Sequence, residues 1–137
     1  MCQYSAVDGF PQPWHFAHLS AFARGKAGLV FTEATAVEER GRITARCLGI
    51  WNDAQAEALR PTVEFIASMG CVPGMQLAHA GRKASTRVPF VEKGGSPLTE
   101  EDAARGETPW QAVAPSALPV TDGWPLPREL DAEELAE

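Results

Sequence analysis

The chain has 137 residues, the length of one ordinary domain, and 45% of them are apolar, enough for a core and too many for a disordered tail. A net charge of −6 and an isoelectric point near 5.1 leave no basic footprint for nucleic acid, so no nucleic-acid partner is expected. No apolar run is long enough to cross a bilayer and the opening residues do not read as a signal peptide, so no membrane association is expected. Cys2, Cys47 and Cys71 are odd in number and at no metal-ligand spacing; they read as reduced thiols of a cytoplasmic protein without a metal site.

The chain opens on "MCQYSAVDGF", which places Cys2 and Tyr4 two residues apart. On an extended segment such residues face the same side, so the pair reads as aimed at one target from a strand tip. "PWHFAHLSAFAR", Pro13 to Arg24, reads as a helix with proline in its first turn and an apolar stripe of Trp14, Ala17, Ala21 and Phe22. "GLVFTEATAV" follows as a buried strand, apolar on both faces as a helix-covered parallel sheet requires. Strict alternation would put Val30, Thr32 and Ala34 on one face and Leu29, Phe31 and Glu33 on the other, toward the helices. Gly41 reads as a turn residue, because no phosphate-loop spacing surrounds it.

"NDAQAEALRPTVEFIASMG" predicts a second helix, capped by Asn52 with Gln55 three residues on. Leu59, Val63, Ile66 and Gly70 follow at helical spacing, and Pro61 is expected to kink or loosen it. "VPGMQLAHAG" predicts a second strand with Gly74, Gln76 and Ala78 on one face. The order helix, strand, helix, strand gives an α/β chain built from βαβ units on a parallel sheet. Periodicity then lapses into a long proline-rich loop, residues 85–128, in which Trp110 and Trp124 favour packing over disorder. "LDAEELAE" begins a further helix, with Asp131 and Glu134 placed as a capping box.

If Cys2, Ala34 and Gln76 all sit at the C-terminal ends of neighbouring parallel strands, they converge on the edge where such folds carry their sites. A thiol, a methyl-sized gap and a primary amide suit a flat heteroaromatic ring; core filling at strand ends is the alternative. His15 and His18, at i and i+3, form either a metal pair or, with no matching carboxylate, a surface or interhelical contact. Glu33 reads as a buried ion pair with an arginine of "ERGRITAR" rather than a catalytic acid. Arg82 and Lys83 suit an anionic ligand or an anchor for the loop.

Four ordered blocks, "MCQYSAVDG", "GLVFTEATAVEERGRIT", "LGIWND" and "GMQLAHAGRKAS", together resemble the N-terminal part of the Old Yellow Enzyme family of flavin-dependent ene-reductases. The likeness is best to the bacterial xenobiotic-reductase branch, which has cysteine beside the flavin. The resemblance implies a partial (β/α)8 TIM barrel: the tip of strand 1, strands 2 and 3 with their helices, and the start of helix 3. It makes residues 1–137 the N-terminal part of a single FMN-binding barrel domain, incomplete at both ends, since such barrels need about 250 residues. It assigns FMN as cofactor and NAD(P)H as reductant, with hydride passing from reduced flavin to α,β-unsaturated carbonyls or similar electrophiles. Met1, Cys2, Ala34 and Gln76 become cofactor-binding residues, with Cys2 also tuning the flavin. Tyr4 becomes the substrate-side phenol and, with Cys2, the catalytic pair. His79 lies inside "LAHAGRK" and is not one of the family's substrate histidines, which fall downstream with its proton-donor tyrosine and phosphate site. A homo-oligomeric full-length protein is implied, with the chain alone inactive. The alternative is a non-catalytic half-barrel, an assembly module or truncated gene product.

Overall fold

The computed structural model describes residues 1–134. Helix α1 (Pro13–Arg24) leads into strand β1 (Leu29–Ala36), helix α2 (Asp53–Ser68) and strand β2 (Val72–Ala78). β1 and β2 pair in parallel, with α2 as the crossover, so they occupy the expected places of barrel strands 2 and 3. Beyond them lie a one-turn helix α3 (Glu100–Ala103) and two short parallel strands, β3 (Val113–Ala114) and β4 (Arg128–Glu129). Asp131 and Glu134 make both capping-box bonds, while residues 135–137 of the expected last helix lie outside the described residues.

The helices bury different faces from those the periodicity suggests. In α1, Trp14 and Phe22 are half exposed and Ala17 and Ala21 exposed, while His15, Leu19, Ser20 and Ala23 are buried. Leu19 and Ala23 pack with Val30, Ile66 and Cys71, and His15 has a polar partner on the strand, so a polar position belongs to the buried stripe. Trp14 instead stacks on His18, and Phe22 meets the same imidazole edge-on. In α2, Thr62 is buried and Val63 exposed. The helix runs unbroken through Pro61, which sits on the exposed side, where water can take the carbonyl it leaves unpaired. Asn52 caps the Gln55 amide at 2.9 Å, but the Gln55 side chain does not close the box. It accepts from Trp51 N–H and donates to the Asp8 carbonyl, tying the opening turn to α2.

Strand β1 departs from strict alternation. Phe31 is opposite Gly74 and Ala34 opposite Gln76, so three steps along β1 match two along β2. This is a β-bulge. It puts Val30 and Glu33 toward the helices, and Phe31 and Ala34 on the opposite, open face; Val30 and Phe31 are thus reversed from the expected assignment. Thr32 fills the irregularity, its hydroxyl accepting from the Gln76 amide at 3.3 Å. A Cβ on Gly74 would meet the Phe31 ring at 2.8 Å, which confirms that Phe31 covers the open face there.

The proline-rich stretch is packed. Arg87 and Asp102, both buried, pair through two bonds, and Thr99 N–H and hydroxyl add to the same carboxylate. Trp110 donates to the Arg40 carbonyl, and the Arg42 guanidinium lies between the Trp51 and Trp110 rings at 5.4 and 5.2 Å. The loop is therefore pinned over the end of β1. The Arg87 guanidinium, helped by the Thr99 donors, holds the Asp102 carboxyl well below the usual range. Its contribution to stability is therefore complete above the unfolded carboxylate value and is lost as pH falls through the depressed one. Asp102→Asn should leave a buried guanidinium short of a charge, and exchange of the Thr99 and Leu98 amides should accelerate on the order of tenfold to a hundredfold while α1 and α2 keep their protection.

Candidate flavin site at the strand ends

Residues 1–6 carry no regular structure and are held by single bonds to the strand and the following loop. Gln3 N–H donates to the Glu33 carboxylate at 2.9 Å, and Ala6 N–H to the Arg46 carbonyl at 3.1 Å. Tyr4 has φ +51°, a left-handed backbone, so it is not on an extended segment and the alternation argument for Cys2 and Tyr4 fails. The two side chains are neighbours nevertheless: burial, ahead of the nearby Cys2 and Cys47 sulfurs, pushes the Tyr4 phenol up. The Tyr4 ring packs edge-on against Phe90 of the long loop, with centroids 5.8 Å apart.

The Cys2 thiol, pushed up by Cys47 and by burial, also lies beside the Ala34 backbone amide, which lowers its pKa by less. Ala34 in turn sits beside Gln76 in the parallel register, both toward the C-terminal ends of their strands. Cys2, Ala34 and Gln76 thus form one shelf on the open face. The Gln76 side-chain amide is exposed and has no hydrogen-bond partner among the described residues, leaving a free donor and acceptor, while its backbone N–H goes to Thr32. Met75, one residue earlier, turns the other way and packs against Ala6, Leu48 and Leu59. Met1 is fully exposed at the start of the shelf. The chemistry of this donor set fits a planar ring with hydrogen-bonding edges, a soft sulfur on one side and no bulk at Ala34.

A family model described as the NADH:flavin oxidoreductase / NADH oxidase family matches residues 1–137. The chain belongs to this family. An NADH:flavin oxidoreductase of Gibberella zeae is 39% identical over 138 residues, covering all of this chain and 32% of that protein. An NADPH dehydrogenase of Listeria monocytogenes is 40% identical over 139 residues, again covering the whole chain and 35% of the relative. Among solved structures, morphinone reductase aligns with a TM-score of 0.70 at 25% identity, over 99% of this chain and 35% of its own. Old Yellow Enzyme from Pichia sp. aligns with a TM-score of 0.74 at 21% identity, over 99% and 33%, a likeness of fold. The chain spans about a third of the length of the curated relatives it matches. Its α/β architecture is a part of the barrel of these neighbours, and the cofactor of the flavin oxidoreductase family is FMN with a nicotinamide reductant.

Around the shelf stand further residues that the sequence singles out. Glu33 is buried, but in place of the expected ion pair with an arginine its partner is the neutral imidazole of His15, hydrogen-bonded at 3.1 Å, because the bulge turns it toward α1. His15 therefore ties α1 to strand β1 rather than helix to helix; no cluster of three or more metal-binding side chains occurs among the described residues. His79 pairs with Glu38 at 2.6 Å and accepts the Gly81 amide. Burial pushes the Glu38 carboxyl up, but bonds from Arg40 and His79 outweigh it and leave it below the usual range. Gly41 lies against this ring; a Cβ there would come within 2.5 Å of it. Arg82 and Lys83 form a short 3-10 turn just past β2.

Cys47 is the other addition. It is 1% exposed, accepts from Thr44 N–H at 3.4 Å, and lies 3.5 Å from the Thr44 hydroxyl. It lies beside Cys2, and the two thiols act on each other's titration. The neighbouring Cys2 thiol, with Thr44 and against the cost of burial, pulls the Cys47 thiol down; Cys47, with burial, pushes the Cys2 thiol up. No signal in the sequence joins residues 2 and 47, whose contact depends on how the segments fold. Cys47→Ala should return the Cys2 thiol toward the ordinary range, so that alkylation of Cys2 by iodoacetamide at pH 9, mapped by mass spectrometry in the flavin-free full-length polypeptide, speeds up by about tenfold or more.

Proposed function

We propose that this chain forms the ring-binding edge of an FMN-dependent NAD(P)H oxidoreductase that reduces electron-poor alkenes such as α,β-unsaturated carbonyls. The observation that carries the reading is the convergence of Cys2, Ala34 and Gln76 on one strand-end shelf in a chain of a flavin-using family. Gln76 would donate and accept at the pyrimidine edge of the ring, Ala34 would leave the ring room, and Met1 would lie alongside. Cys2 would present a polarizable sulfur whose thiol the neighbouring Cys47 and burial push up. Tyr4, lifted by its left-handed backbone and braced by Phe90, would orient the substrate carbonyl. FMN, when bound, supplies a hydride taken from the nicotinamide.

Residues 1–137 would belong to one barrel domain. Leu29, Phe31, Val72 and Leu77 are each at least half exposed on the two-stranded sheet, apolar surface that further barrel strands would cover. This favours a working barrel over a free-standing half-barrel, whose open strand edges would template aggregation. No helix of the described residues is long and apolar enough to cross a membrane, and the three free thiols suit a cytoplasmic setting.

Two substitutions in the full-length polypeptide test the reading. Gln76→Ala should weaken FMN binding by about 1–3 kcal/mol, through a lost bond and an unpaired ring edge. Cys2→Ala should shift the flavin absorption bands and reduction potential with FMN still bound. Unchanged affinity in the first, or an unchanged spectrum and potential in the second, would contradict the assignment of that residue.

A further inference from the structure

Glu33 is 4% exposed, and each of its carboxylate oxygens takes one hydrogen bond. Oε2 accepts the Gln3 backbone amide at 2.9 Å and Oε1 meets His15 Nε2 at 3.1 Å. The tautomer of His15 follows from its other nitrogen. Nδ1 accepts the Gln12 backbone amide at 2.9 Å, so it carries no proton, and Nε2 must be the N–H that donates to Glu33. Two donors from two separate segments therefore converge on a single side chain. Only a carboxylate can satisfy both, because glutamine offers one accepting oxygen and would turn an NH2 toward one of the donors.

The Gln3 amide belongs to the peptide that joins Cys2 to Gln3, and Tyr4 follows directly with its left-handed backbone. Residues 1–6 have no strand ladder to fix them; Trp14 Nε1–H holds the Gln3 side chain at 3.1 Å, and the Glu33 bond holds the Cys2–Tyr4 backbone down on β1. Ala34, the next residue along β1, has its backbone amide beside the Cys2 thiol. One bulge therefore sets both the grip and the thing gripped.

We propose that Glu33 is a positioning residue: its carboxylate, oriented by His15, fixes the Cys2–Gln3 peptide and thereby the place where the Cys2 thiol and Tyr4 phenol meet flavin and substrate. The inference rests on the flavin reading of the shelf. The carboxylate also acts through space, raising the Cys2 thiol as one of several contributors.

The test is a double-mutant cycle in the full-length polypeptide, with Glu33→Gln, Glu33→Asp, Cys2→Ala and the combinations. In flavin-free protein, exchange of the Gln3 amide should speed up by about tenfold or more in both Glu33 variants, as one donor loses its acceptor or the shorter arm loses reach. With FMN bound, each Glu33 variant should shift the flavin bands, and alkene reduction should slow by about tenfold in kcat. In the combination with Cys2→Ala the spectral shift should be far less than the sum, because Glu33 acts through Cys2. Simple addition of the shifts, or unchanged Gln3 exchange, would overturn the proposal. If Glu33→Gln fails to fold, Glu33→Asp, which keeps the buried charge, carries the same cycle. Cys2→Ala with unaltered flavin bands would overturn the placement of Cys2 at the flavin, and the proposal with it, whereas shifted bands in Cys2→Ala beside silent Glu33 variants would overturn the proposal alone.

Discussion

One extra residue in β1 governs the arrangement of the site. The bulge between Phe31 and Ala34 lets Glu33 turn inward to α1 while Ala34 stays on the open face beside Gln76. Without it, Phe31 and Ala34 would lie on opposite faces and the shelf would lose either its floor or the large ring beside it. The misfit is absorbed locally: the Thr32 hydroxyl takes the Gln76 amide that the distorted ladder leaves over. Bulges recur beside sites because they re-aim one side chain without moving the strand.

Burying a carboxylate is costly unless hydrogen bonds replace its water, and the surroundings of Glu33 supply two. Both donors come from elements that would otherwise be loosely tied, the irregular first six residues and the start of α1. The same logic appears on the far side of the sheet ends, where the long loop is closed by a buried Arg87–Asp102 pair and by Arg42 between two tryptophans. These polar clamps have strict geometry, so they fix positions that apolar packing alone would leave adjustable. The site is thus framed by two clamped, irregular segments laid across two regular strands.

Much of this was readable in the residues. The two long helices, the two parallel strands and their order follow from periodicity and caps, and the family from four ordered blocks. The shelf partners Ala34 and Gln76 fall on facing strand positions, as alternation counted back from the strand ends suggests. What alternation could not show is the bulge, which has no glycine to mark it and reverses Val30 and Phe31. The buried stripe of α1 was hidden for a related reason: His15 and Ser20 occupy it, and a polar residue looks like a surface position until its partner is known. The Cys2–Cys47 contact and the Glu33 grip depend on segments far apart in sequence, and local pattern carries no trace of them.

The central claim is that the open face at Ala34 receives a flavin ring, and the most direct measurement is the flavin content of full-length polypeptide carrying Ala34→Leu. The added side chain would project from the shelf rather than into the helix-side core, so the fold should keep its circular dichroism and cooperative melt. The account predicts a folded, colourless protein that takes up little or no FMN in a fluorescence titration. A folded variant that still binds FMN one to one, with the affinity and spectrum of the parent, would contradict it.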